Sequence, residues 1–205
     1  MRVRYNEDLS NVKNMAKSIM DLVILSYDRC ALFLTDNKKD NLKDIIEIHE
    51  DIRRKASDME RLSFELMALQ QPIAKDLRLL QMAIKLASTY KRIASHFEQA
   101  SLILLDYELS DFEIELLSRF IQSEKKMAKK SIRSFIENDL ELARLTIEDD
   151  QVNNDLFKES IEYIARENKA NKIDARELSE KVLLYKYFER LGDRIARVAD
   201  LAARL

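Results

Sequence analysis

The chain has 205 residues with one glycine and one proline, 46% apolar and 35% charged residues, and a net charge of −2. That composition excludes a β-rich fold, which needs Gly and Pro at its turns, and it excludes the basic stripe of a nucleic-acid binder. A single cysteine, Cys30, permits no internal disulfide and fits a reducing compartment, where it reads as a small core residue.

The predicted elements are all helices. The first runs from about Asp8 to Leu34, with Leu9, Val12, Met15, Ala16, Ile19, Val23, Ser26 and Cys30 at the three-four spacing of one buried stripe. Thr35-Asp36-Asn37 breaks the pattern. The second runs from about Lys38 to Leu69 through Ile45, Ile48, Ile52, Met59, Leu62 and Leu66; its charged middle, Asp51 to Lys55, reads as a solvated face. Gln70-Gln71-Pro72 is a boundary, because proline disfavours a helical residue before it and suits the first turn after it. The third helix then reaches about Tyr107 on Leu80, Ile84, Ala87, Ile93, Ala94 and Leu102.

Ser110 with Glu113 reads as a capping box opening the fourth helix, which runs to about Glu137. Asn138 with Glu141 reads as a second box opening a fifth helix to about Arg166. Glu167 to Ile173 is polar, and Asp174 with Glu177 caps a sixth helix that runs to the C-terminus. Rods near 30 residues are ~45 Å long, and short loops between them imply antiparallel neighbours. The longest apolar runs, Leu22–Leu25 and Leu102–Leu105, are far too short to span a membrane. The first ten residues lack a signal-peptide apolar region. The expectation is a cytoplasmic protein, brought to the membrane only by a partner.

The chain reads as a repeat. Aligning Asp76-Leu77-Arg78 with Asp174-Ala175-Arg176, 98 residues on, places Leu80 on Leu178, Ile84 on Val182, Arg92 on Arg190, Ile93 on Leu191 and Ala94 on Gly192. Apolar matches alone carry little, since any two amphipathic helices can be slid into register; Asp-x-Arg and the later Arg are the specific part. Two three-helix units follow, residues 1–108 and 109–205. The one glycine stands inside a helical pattern, where it costs about 1 kcal/mol relative to alanine. Glu189 and Asp193 flank it, four apart on one helix face. Such a pair is either a solvated acidic surface or a place where an ion or another backbone comes close.

These residues resemble the PhoU family of phosphate-transport regulators. Gln71-Pro72-Ile73-Ala74-Lys75-Asp76-Leu77-Arg78 is similar to the opening of that family's third helix, and Glu189-Arg190-Leu191-Gly192-Asp193 to a motif of its last. The resemblance implies an all-α fold of two tandem antiparallel three-helix bundles. It also implies metal ions held by Glu/Asp-x-x-x-Asp motifs on the second and third helices of each unit, in some members as iron clusters. In the second unit the matching positions are Asp149, Asn153, Glu189 and Asp193, an all-oxygen set suited to iron, Mn²⁺ or Mg²⁺. Arg194 and Arg197 stand where the family carries His and Asn, so one weak site is expected; Asp200 either adds an oxygen or pairs with Arg197 or Arg204. In the first unit the equivalents are His49, Arg53, Lys91 and Ser95. A guanidinium and an ammonium repel cations. No cluster is therefore expected there, Lys91 and Arg53 are expected to pair with carboxylates such as Glu60 or Glu98, and His49 and His96 are expected to be structural or surface residues.

By the same resemblance the chain is a regulatory adaptor. It would bind the ATPase of a phosphate ABC transporter or a phosphate-sensing histidine kinase, with a homodimer as a further expectation. Two other classes compete. A di-iron carboxylate enzyme needs Glu-x-x-His, but Ile46 and Ile93 precede His49 and His96 by three; no Gly-rich phosphate loop exists for a nucleotide-driven enzyme either. A helical scaffold, or a relative with a partner unrelated to phosphate and no metal function, fits the altered first unit.

Overall fold

Apolar side chains at three-four spacing need partners on one face. In the computed structural model, which describes residues 2–205 with side chains from Tyr5 onward, they find them in antiparallel helices. The elements are α1 (Arg2–Asp36), α2 (Asp40–Leu69), α3 (Ala74–Asp106), α4 (Asp111–Glu137), α5 (Leu140–Glu148), α6 (Asp150–Asn171) and α7 (Ala175–Ala202). There is no strand among the described residues. Helices α1 to α3 form one three-helix bundle, and α4, the α5–α6 rod and α7 form the second.

The predicted fifth helix is interrupted. Asp149 keeps a right-handed helical backbone (φ −56°, ψ −23°), but the Val152 N–H bonds back to the Asp149 carbonyl, tightening one turn and dividing the rod into α5 and α6. The cap assigned to Asn138 and Glu141 is also corrected. Asn138 adopts the left-handed conformation (φ 56°) and closes α4, a role that asparagine tolerates better than most residues. Asp139 opens α5, its Oδ1 accepting from the Leu142 N–H at 2.9 Å. At Ser110 the expected box forms: the Ser110 hydroxyl accepts from the Glu113 N–H, and Glu113 accepts from the Ser110 N–H at 3.0 Å. Asp174 caps α7 through the Arg176 N–H at 3.0 Å, while Glu177 turns to Lys181 instead of completing a box. At the α2–α3 turn, Gln71 takes φ 44° and α3 starts at Ala74, two residues after Pro72.

One continuous apolar core runs through both bundles, from Val12 and Ile19 on α1 to Ile195 and Val198 on α7. Burying each Leu, Ile or Phe contributes about 1.5–3 kcal/mol. The bundles meet where α1 packs on α4 and α3 packs on α7. Cys30 is buried in this core, and burial pushes its thiol well above the usual range, so it is an inert core residue. Among the described residues no helix is long and apolar enough to cross a membrane.

Candidate functional site

The second bundle holds a polar notch in its core. Gly192 on α7 lies against α6: a Cβ built there would come within 2.5 Å of Asn153 Nδ2 and 2.8 Å of Asp150 Oδ1. The missing side chain lets the two helices approach, which explains a glycine in the middle of a buried helix. Asn153 is fully buried, and its Nδ2 donates to Asp150 Oδ1 at 3.1 Å. Glu124 enters from α4, also fully buried, and its Oε2 accepts from the Tyr27 hydroxyl of α1 at 2.9 Å. Glu189 enters from α7 with its side chain 11% exposed, one oxygen held by Lys186 at 2.6 Å.

These groups leave three buried oxygens without hydrogen-bond partners: Glu124 Oε1, Asn153 Oδ1 and Glu189 Oε2. Burial raises the Glu124 carboxyl well above the ordinary range; the charges of Asp150 and Glu189 push the same way, while the Tyr27 hydroxyl bond and the polarity of the Gly192 backbone N–H oppose the rise. Burial raises Asp150 too, helped by Asp193 and Glu189 and opposed by the Asn153 amide. The notch is therefore short of positive charge, and Glu124 and Asp150 both keep their protons to higher pH than an ordinary carboxyl does.

Of the four residues singled out from sequence, Asn153 and Glu189 lie in the notch. Asp193 is exposed at its edge, close enough for its charge to act on Asp150. Asp149 faces the other way: its Oδ2 pairs with Lys130 of α4 at 2.6 Å, and it lines the groove that holds Arg119, Lys126 and Leu156. Asp150 takes the inward position. Successive helical residues point about 100° apart, and spacings of three and four both share a face with Asn153, so the spacing alone does not choose between the two aspartates. Glu124 was missed as well. Its signal was legible, since it stands four residues after Phe120 and four before Ala128, a carboxylate on an apolar stripe. Asp200 pairs with both Arg197 and Arg204, the latter at 3.0 Å.

The donor types, all oxygen, suit a hard cation. The spacing does not make a ready centre: among the described residues no three His, Cys, Asp or Glu side chains stand together so as to hold a metal ion. Lys186 occupies one oxygen of Glu189, so any ion there competes with an ammonium.

The first bundle has a different interior at the matching place. His49 is 2% exposed, and its Nδ1 lies 3.4 Å from Glu98 Oε1 without a formed hydrogen bond. Lys91 pairs with Glu60 at 2.7 Å, the pairing expected of it, while Arg53 is exposed. The Ser95 hydroxyl bonds back to the Lys91 carbonyl.

The PhoU domain model matches residues 11–103 and again 117–202. The chain is 25% identical over 202 residues to the phosphate-specific transport system accessory protein PhoU homolog 1 of Methanothermobacter thermautotrophicus, covering 97% of this chain and 92% of the relative. It is 23% identical to the PhoU homolog of Borreliella burgdorferi, covering 98% and 94%. The crystal structures of PhoU from Pseudomonas aeruginosa and of the phosphate transport system regulatory protein PhoU from Streptococcus pneumoniae superpose with TM-scores of 0.88 and 0.87. Each is 18% identical, and each covers 97% of this chain, with 96% and 94% of the neighbours covered.

Proposed function

The chain belongs to the PhoU family, and from that premise we propose that it is a regulatory adaptor of phosphate uptake that works by binding other proteins. The observation that carries this is the double match of the family model, one copy over each bundle, together with near-complete coverage of relatives named as accessory proteins of phosphate transport. The partners are the ATPase of a phosphate ABC transporter or a phosphate-sensing histidine kinase, met on the inner face of the membrane. A pull-down from native cytosol and membranes at high and low phosphate tests it. Recovery of either partner in a phosphate-dependent way supports the reading. A deletion strain with unchanged uptake and unchanged starvation genes overturns it.

The same reading includes one weak hard-cation site in the second bundle, for iron, Mn²⁺ or Mg²⁺, on Asn153, Glu189 and Asp193, with Asp150 in the place first given to Asp149. Unpartnered oxygens on Asn153 and Glu189 support it, as does the surplus of negative charge around Asp150. Lys186, which already holds one oxygen of Glu189, keeps it weak by repulsion. Elemental analysis of protein purified without chelator is expected to find metal in amounts below one equivalent, with chelation lowering the Tm. No metal, and unchanged stability of the Glu189→Ala/Asp193→Ala double variant, removes the site.

A second reading, a family member with a partner unrelated to phosphate, is favoured by the buried His49 and the Lys91–Glu60 pair where the first bundle would otherwise carry its acidic set. The identity of the captured partner separates the two readings.

A further inference from the structure

The junction between the bundles carries a basic cluster that neither the core nor the notch uses. His96 on α3 packs against Tyr187 on α7, ring centroids 5.9 Å apart and planes at 31°. Tyr187, Arg190 and Arg194 stand three and four residues apart and so share the face of α7 that meets α3. Arg92 lies one turn before His96 on the facing side of α3. The internal repeat places Arg92 on Arg190 and His96 on Arg194, so each unit carries a nitrogen-bearing side chain at both positions.

The charges acting on His96 are Arg190, Arg194 and Arg92, all positive. Most carboxylates of these helices that lie closest in sequence have other partners: Glu189 is held by Lys186, Asp200 by Arg197 and Arg204, and Glu98 lies 3.4 Å from His49, while Asp193 is exposed to solvent. Arg194 Nε and His96 Nε2 are shut off from water without a partner. Burying such polar atoms unpaired costs stability unless a ligand meets them. Arg92 and Arg190 remain exposed, which leaves a way in.

We propose that Arg92, Arg190 and Arg194, arranged around His96 at the junction of the two bundles, bind a small tetrahedral oxyanion of the phosphate type. Three guanidiniums offer forked donors to several oxygens at once, which matches a tetrahedral dianion better than a carboxylate with two oxygens and one charge. Burial and the three arginines hold the imidazole near a pKa of about 4, so at neutral pH it is uncharged and presents one N–H and one lone pair. The site is separate from the adaptor reading and is tested on the purified chain alone.

The chain has two histidines, so their ring proton resonances can be followed in the intact protein. Inorganic phosphate and sulfate are titrated at fixed ionic strength, with chloride as the comparison. The expected result is a saturable shift of the His96 resonance with phosphate, and a rise of its pKa as the anion cancels the repulsion, while His49 stays unmoved. Arg190→Gln and Arg92→Gln, both at exposed positions, are expected to weaken phosphate about tenfold each, a loss of 1.4 kcal/mol. A response to sulfate equal to that of phosphate still supports a tetrahedral oxyanion site. A response that chloride reproduces, or none through the millimolar range, overturns it. So does phosphate binding that both variants leave unchanged.

Discussion

The two bundles share one plan and differ in what they bury. At the turn of the third helix in each unit, the first carries Lys91, Ala94 and Ser95; the second carries Glu189, Gly192 and Asp193. In the first, Lys91 finds Glu60 and the pair neutralises itself. In the second, Asp150 and Asn153 of α6 press on a glycine of α7, and the buried Glu124 leans on Tyr27 from the other bundle. The same scaffold thus supports a satisfied ion pair in one copy and an electrostatically unfinished notch in the other. Packing tolerates either, because the apolar stripes that hold the helices together lie on separate residues.

The sharpest contrast between the copies is at their symmetry-related small residues. Gly192→Val forces a Cβ against Asn153 and Asp150 and is expected to destabilise by about 3 kcal/mol; Ala94→Gly in the first bundle is expected to cost about 1 kcal/mol. Denaturant unfolding of both variants measures the difference, and equal losses would mean that α6 yields freely at the notch. Next in size, Tyr27→Phe strips a buried carboxyl of its donor, an expected loss of about 1–3 kcal/mol.

The pH dependence separates the notch from the junction. The carboxyl of Glu124 is raised in the folded chain, so its stabilising contribution is present below the unfolded carboxylate value and is lost as pH rises through the folded one. Wild type is expected to lose stability relative to Glu124→Gln as pH rises above the ordinary carboxylate range, measured with chelator present. His96 behaves oppositely. Its folded pKa is lowered from 6.5 to about 4, so its contribution is full above 6.5 and is lost as pH falls between those values. His96→Gln is expected to keep acid stability that wild type loses. The smallest effect belongs to the first bundle: Lys91→Ala, at a pair about one-third exposed on each side, is expected to cost about 0.2–1 kcal/mol.

Part of the polar notch was legible from spacing and charge type: Asn153 and Glu189, which line it, and the absence of acidic residues at Lys91 and Ser95 could be read in the chain. Spacing did not choose between Asp149 and Asp150, because both lie within one helical turn of Asn153; only the packing of α6 between α4 and α7 turns Asp150 toward Asn153 and Asp149 toward Lys130. Glu124 was passed over because a charge on an apolar stripe looks like an interruption until the helix opposite it is known.

The helices, most of their ends and the doubling of a three-helix unit follow from the sequence alone. Three-four periodicity, capping side chains and the scarcity of Gly and Pro act over a few residues and need no knowledge of distant neighbours. Tertiary structure alone decided that Asp150 and Asn153 press on Gly192, that Glu124 meets Tyr27 of the other bundle, and that the charges of three arginines reach His96. Such meetings join residues as far apart as Tyr27 and Glu124, 97 positions, and depend on which helix faces cross. No local rule carries that information, because it is settled by how whole apolar stripes bury one another.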